Sequence, residues 1–156
     1  MANTNMGTKF YISATIAPND LALTDFEAID DWVEVAKVGN IGETGSQVNI
    51  LNYDTMDTTV TQKAKGIINA GDPTIECSYV PTDQGQLAMR AAAKTNFNYA
   101  FKIVHNDKLT PAGSGTTHFN RGLVAGPSTP NGGVEDFILN VFTLALNQEQ
   151  LTIPAA

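Results

Sequence analysis

The sequence predicts a mainly-β, α+β domain: a β-sandwich with one flanking helix and one long polar insertion. Three observations carry that reading. Apolar side chains recur with period two in segment after segment, whereas only one stretch has a convincing helical stripe. The order is strands, one helix, then strands again, without the βα alternation of a nucleotide-binding sheet. At 156 residues the chain is the size of one domain around one core, so the domain is expected to span 1–156.

The elements follow in order. FYISATIA reads as a strand, with Phe10, Ile12, Ala14 and Ile16 on one side and Tyr11, Ser13 and Thr15 on the other. Pro18-Asn19-Asp20 breaks it. LTDFEAIDDW offers Thr24 or Asp25 as an N-cap for a short turn or helix. VEVAKVGNIG (Val33 to Gly42) alternates and ends on glycines, as one strand should. TIECSYV sets Ile75, Cys77 and Tyr79 against Thr74, Glu76, Ser78 and Val80, and Pro81 stops it.

TDQGQLAMRAAAK predicts a helix at about 82–94, capped by Thr82 or Asp83, with Leu87, Ala88, Ala91 and Ala92 as its apolar stripe. Its alanines would let it lie close against a sheet. FNYAFKIVH is a strand with Tyr99, Phe101 and Ile103 on one face, NDKLTPAGSG a turn-rich connection, and THFNRGLVAG a further strand. PSTPNGG is a turn, since Asn and Gly tolerate positive φ. VEDFILNVFTLAL (Val134 to Leu146) reads as the longest strand, and the tail at about 148–156 as loosely tied.

Between two of these strands lies ETGSQVNILNYDTMDTTVTQKAKG, residues 43–66, with five Thr, three acids and two Lys. Loops beyond about 12–15 residues without structure of their own are uncommon in compact domains and are usually functional or disordered. The segment is too polar to fill a core, yet β-prone.

Composition excludes several classes. Charged residues are 16% of the chain against a typical quarter, and the net charge is −7. Residues 1–83 hold 4 basic and 12 acidic side chains, residues 84–156 hold 5 and 4. No Lys/Arg run exists, so phosphate-neutralising attachment to nucleic acid is not expected. Cys77 is the sole cysteine, which rules out an intrachain disulfide or a multi-cysteine metal site. The N-terminus lacks the basic start and apolar core of a signal peptide, and no apolar run approaches 18 residues, so no membrane partner is expected.

Catalytic chemistry has no positive support. Cys77 with His105 or His118 would supply a nucleophile and a base, but a lone mid-strand cysteine is more often a small buried hydrophobe. Two histidines 13 positions apart make a poor metal site without a further ligand cluster. Asp30-Asp31 are adjacent and point different ways, which suits a polar turn. Gly113-Ser114-Gly115 lacks a phosphate-loop frame. Neither enzyme nor cofactor is expected.

Taken together, DWVEVAKVGNIG, the Thr/Asp-rich segment centred on YDTMDTT, TIECSYVPTDQGQLAMRAA, YAFKIV, THFNRGLVAG and the apolar VEDFILNVFTLAL resemble the major tail, or tail tube, proteins of long flexible-tailed, lambda-like bacteriophages. The resemblance covers about residues 8–147, and the strand–Pro–x–Asp–x–Gly–Gln–helix run is its most distinctive part. It implies a tail-tube fold whose rings of six copies stack head to tail into a hollow tube that conducts DNA during ejection. It also implies a tail initiator or baseplate and a tail terminator as partners, with tape measure protein and DNA passing through the lumen without specific binding. The product would be a virion tail assembled in the host cytoplasm. Related folds form the tubes of contractile tails and of type VI secretion. Some lambda-like members carry a C-terminal immunoglobulin-like domain; the sequence to Ala156 leaves no room for one, and outer decoration is expected to be absent or supplied elsewhere.

The resemblance gives the long segment a role. It becomes an inter-subunit arm at about 43–71, with Val48, Ile50, Tyr53, Asp54, Met56 and Thr59 as its contact residues. About ten residues at ~3.3 Å each would reach roughly 30 Å, enough to cross a subunit boundary. The plain alternative is a mobile surface loop of a monomer. Glu76, with Asp54 and Asp57 as weaker candidates, would line the lumen and repel DNA phosphates; equally, these acids would keep the free subunit soluble. Two rival functions remain at this stage. One is a ring protein of a phage-derived secretion or gene-transfer apparatus. The other is a monomeric β-sandwich module that binds carbohydrate or peptide.

Overall fold

The computed structural model describes residues 2–156. Its strands are β1 (Lys9–Ile16), β2 (Trp32–Val35), β3 (Val38–Ile41), β4 (Gln47–Tyr53), β5 (Gln62–Asn69), β6 (Thr74–Ser78), β7 (Tyr99–Val104), β8 (Thr117–Ser128), β9 (Leu139–Leu146) and β10 (Leu151–Ile153). Two helices interrupt them, α1 (Leu23–Glu27) and α2 (Gln84–Ala93). One sheet runs β2-β1-β7-β8-β9-β6-β3, with β10 paired to the start of β8, and β4 and β5 pair only with each other. Every pairing is antiparallel.

The two ends of that sheet are consecutive in sequence. β2 and β3 stand at opposite ends of the strand order, yet only Ala36 and Lys37 separate them. Three Cα–Cα steps separate Val35 from Val38 and span at most about 11 Å, so the sheet must curl until its ends come together. Lys37, at φ 60°, makes the corner. VEVAKVGNIG is therefore two strands and not the single one its alternation suggests.

Inside the curl lies the main core, built on Phe10, Ile12, Ile75, Phe101, Phe142 and Leu144. Full burial of each such side chain stabilises the fold by about 1.5–3 kcal/mol. Met89 and Ala92 of α2 close this core, and the helix packs across β8, β2 and β1. The buried face of α2 is Gly85, Gln86, Met89 and Ala92. That face is rotated from the expected stripe: Ala88 is half-buried, but Leu87 and Ala91 face solvent. Hydrophobicity alone misplaces the face because its contacts include a glycine and a glutamine.

A smaller cluster, Phe26, Ala100 and Phe119 with Trp32, Leu21 and Ile153 against it, covers the other side of β7 and β8. Phe26 stacks on Phe119 at 5.1 Å between ring centroids. Here the N-cap of α1 is Ala22, two residues before Thr24 and three before Asp25, and Asp25 Oδ2 accepts from the Ala22 N–H at 3.0 Å. The tail at 148–156 is held and not loose. β10 pairs with β8, Gln148 bonds both the N–H and the carbonyl of Leu21, and Ala156 N–H donates to Ser114 O.

Two further expectations change. The alternation of β1 holds to Ile12 and then breaks, with an irregular register between Ile12 and Ile16; Ser13 is buried while Ala14 and Ile16 are exposed. β9 starts at Leu139, so residues 134–138 lie outside it, and β8, at 12 residues, is the longest strand.

Candidate functional site

The long polar segment is a β-hairpin. β4 and β5 pair from Gln47↔Asn69 to Tyr53↔Gln62, with an irregularity between Val48 and Ile50, and residues 54–61 form the tip. Gly42 N–H donates to Thr74 O, so the hairpin leaves the domain between the end of β3 and the start of β6. Ile50, Leu51, Tyr53, Met56, Val60 and Ile67 are all at least half exposed, Met56 completely. An isolated two-stranded hairpin is marginal in water, and this one has two unpaired edges.

The register sorts its side chains onto two faces, because opposed residues share a face and neighbours along a strand alternate. Val48, Ile50 and Asn52, opposite Ile68, Lys65 and Lys63, form one face. The other carries Gln47, Leu51 and Tyr53 opposite Asn69, Ala64 and Gln62, and bears no charge. Of the expected arm residues, Val48 and Ile50 share the lysine face, Tyr53 lies on the neutral face, and Asp54, Met56 and Thr59 belong to the tip.

The structure does not bring the three expected lumen acids together in one subunit. Glu76 sits half-buried in β6, opposite Val141 of β9 and Asn40 of β3, on the outer face of the curled sheet. Thr74 and Thr143 are paired on the same face. Asp54 and Asp57 stand on the hairpin tip, in a different sheet.

The residues considered for chemistry have structural surroundings. Cys77 is fully buried; its Sγ donates to Asn140 O at 3.6 Å, and burial pushes the thiol up to about 11, with the Asp83 carboxylate adding to it. His105 and His118 pack edge to face at 5.0 Å between rings. His118 Nδ1 is 2.8 Å from Thr152 Oγ1 of β10, and burial, then the neighbouring His105, lowers its pKa. Asp31 accepts from the hydroxyls of Ser13 and Thr15, as a polar turn would. Among the described residues, no group of three or more His, Cys, Asp or Glu is placed to hold a metal ion.

Of the two caps expected for α2 the structure uses Asp83, and three further polar anchors, Gln86, Arg121 and Arg90, escape a hydrophobicity-based reading. Asp83 caps α2, its Oδ2 accepting from Gln86 N–H at 3.0 Å and from Ala36 N–H at 3.1 Å. Gln86 Nε2 donates to Ala36 O and Ser78 O, and its Oε1 accepts from Val80 N–H. The Pro–x–Asp–x–Gly–Gln run is thus a clamp that ties the β2–β3 corner and the end of β6 to the helix. Arg121, 5% exposed, holds the chain after β1 through Ala17 O, Pro18 O and the Asp20 carboxylate at 3.0 Å. Arg90 Nη2 donates to Oδ1 of the buried Asn140 at 3.2 Å.

No protein-family model matches this sequence, nor does any curated protein. Solved structures match throughout its length. A chain of the cryo-EM structure of the anti-feeding prophage baseplate, six-fold symmetrised, is similar over 99% of this chain and 98% of that one, at 10% identity and a TM-score of 0.65. A chain of an extracellular contractile injection system, the PVC sheath/tube terminator in its extended state, is similar over 98% and 97%, at 10% identity and a TM-score of 0.70. At such identity the likeness is one of fold, and it covers the curled sheet, α2 and the hairpin alike.

Proposed function

We propose that this chain is a structural tube protein: its copies form rings that stack head to tail into a hollow conduit. The observation that carries the reading is the hairpin β4–β5, which offers apolar side chains and two open edges to solvent and pairs with nothing else in its own subunit. Such a surface has a physical purpose when another copy covers it. Contacts of this kind, between different patches on identical copies, are heterologous and build filaments when they do not close. Hexameric rings follow from the family resemblance of the sequence.

Between the two kinds of tube considered, the fold likeness favours a phage-derived apparatus over a long flexible tail, since one of the similar chains belongs to a prophage baseplate and another to an extracellular contractile injection system. In either, the outer face of β6 and β9 with Glu76 would border the bore, and the acid would discourage polyanionic cargo from sticking.

Negative-stain electron microscopy of the concentrated protein, paired with limited proteolysis, tests the reading. Hollow tubes or stacked rings in which residues 43–71 resist cleavage are expected, with cleavage there in the free subunit. A subunit that stays monomeric and resists cleavage in the hairpin overturns it.

A further inference from the structure

The hairpin and one other exposed feature sit at opposite ends of the same strands. β6 runs from Thr74, opposite Thr143, to Ser78, opposite Leu139. The hairpin springs from the Thr74 end. Residues 134–138 feed into β9 at Leu139, the Ser78 end, and Ile138 O accepts from Tyr79 N–H at 2.9 Å. This segment, VEDFI, presents Val134, Phe137 and Ile138 to solvent at 104%, 79% and 66% exposure, with Glu135 and Asp136 among them. A turn bond from Gly133 N–H to Asp136 Oδ2 at 2.7 Å shapes it.

These two features are complementary in kind. The lysine face of the hairpin carries three apolar side chains and two cations, and 134–138 carries three apolar side chains and two anions. The hairpin's other face is uncharged and has no such match. Lys37 at the β2–β3 corner borders the Phe137 end, but the two acids outnumber it. We infer that the lysine face of β4–β5 on one copy (Val48, Ile50, Ile68, Lys63, Lys65) docks on residues 134–138 of the next copy. This rests on the head-to-tail stacking proposed above and supplies its contact. A translation along the strands carries the hairpin of one subunit to the 134–138 end of another. Eight residues of β5 at ~3.3 Å each give the hairpin a length of about 26 Å, enough to leave its own subunit.

Charge reversal in trans tests the docking. K63E/K65E and E135K/D136K are prepared as separate full-length proteins, and self-association is followed by sedimentation and electron microscopy. Each variant alone should need a protein concentration roughly tenfold or more above wild type to associate, because like charges then face each other. An equimolar mixture should recover association, since every lysine face then finds an acidic segment; recovery also shows that both variants fold. Variants that assemble as wild type does overturn the docking and leave the tube standing. A mixture that forms only discrete complexes, with no tube in the wild type, supports the docking and overturns the tube. No association in wild type, variants or mixture overturns both.

Discussion

Gln86 and Ala36, 50 positions apart, are joined by a bond from the buried side-chain amide of one to the backbone carbonyl of the other, at 3.1 Å. Ala36 is half of the two-residue corner between the two ends of the sheet, and Asp83 takes its N–H as well. The corner's polar backbone is thus satisfied by side chains of the helix start, and the same Gln86 serves Ser78 and Val80 at the end of β6. Gln86→Leu keeps an apolar bulk but strands two carbonyls and one N–H away from their partners. Each lost partner costs about 1–3 kcal/mol when buried, so destabilisation of roughly 3 kcal/mol or more is expected in urea unfolding. A change below ~1 kcal/mol would mean that water takes over the amide's bonds.

Gly85→Ala probes the same junction by volume instead of polarity. A Cβ at Gly85 would overlap Glu34 O and the Val35 Cα, both backbone, so the helix would have to move away from β2. Overpacking of this sort costs typically about 1–3 kcal/mol. The lower end is expected where α2 can slide, and the thermal midpoint reports it. An unchanged midpoint would show that α2 does not hold the sheet's ends in place.

The hairpin should be separable from the fold. Its strands pair only with each other, and the main core draws from it only Ala70, just beyond β5. Replacing residues 47–69 with a short Gly/Ser turn should leave the far-ultraviolet spectrum of the domain intact and shift its thermal midpoint by no more than a few degrees. Association should be lost. A shortened protein that fails to fold would make the hairpin part of the subunit's own stability.

Much of this architecture is legible in the sequence, and the exceptions share a cause. Ile75 and Cys77, Phe101 and Ile103, and Phe142 and Leu144 alternate because each strand has one face on the core. In VEVAKVGNIG the apolar phase slips at Ala36-Lys37, from Val33 and Val35 to Val38, and a single-strand reading passes over the one-residue slip that marks the corner. The apolar start of VEDFILNVFTLAL reads as strand because hydrophobicity does not distinguish a core from the exposed apolar surface that Val134, Phe137 and Ile138 form. Gln86 and Arg121 are invisible for the converse reason: they are polar, yet buried because backbone carbonyls wait for them. Of the hairpin, the length and β-character of the segment at 43–71 can be read directly; its division into a lysine face and a neutral face requires the register.

Cys77 should be silent toward thiol reagents while the protein is folded. It is fully buried, and its pKa stands at about 11. At pH 8 the native protein is expected to react with Ellman's reagent only as fast as it unfolds, and completely in 6 M guanidinium. The linkage has a definite sign. The unfolded thiol ionises near its ordinary value of about 8.5 while the folded one keeps its proton, so stability is unaffected below that pH and falls as pH rises toward 11. Cys77→Ala should flatten that alkaline decline, at the cost of a small cavity. Prompt labelling of native protein at pH 8 would place the thiol within reach of solvent.

His118 should govern the acid side. Its pKa is lowered first by burial and then by the nearby His105, with Asp107 opposing. The folded protein therefore resists a proton that the unfolded chain accepts. The stability is fully present above the ordinary histidine value of about 6.5 and declines as pH falls below it toward the lowered folded value. Asp107 acts in a separate, lower window. Thr116 N–H and hydroxyl bonds hold its carboxyl below the usual range, and its contribution is lost only under more acidic conditions. His118 Nδ1 also accepts from Gln150 Nε2 at 3.2 Å, a bond that a protonated ring cannot keep, so protonation is expected to disturb the chain entering β10 first. His118→Gln should reduce the slope of stability against pH between about 6.5 and 5, and amides of residues 151–153 should exchange faster at the acid end in the wild type but not in the variant. Equal slopes in the two proteins would assign the acid sensitivity to groups other than this histidine.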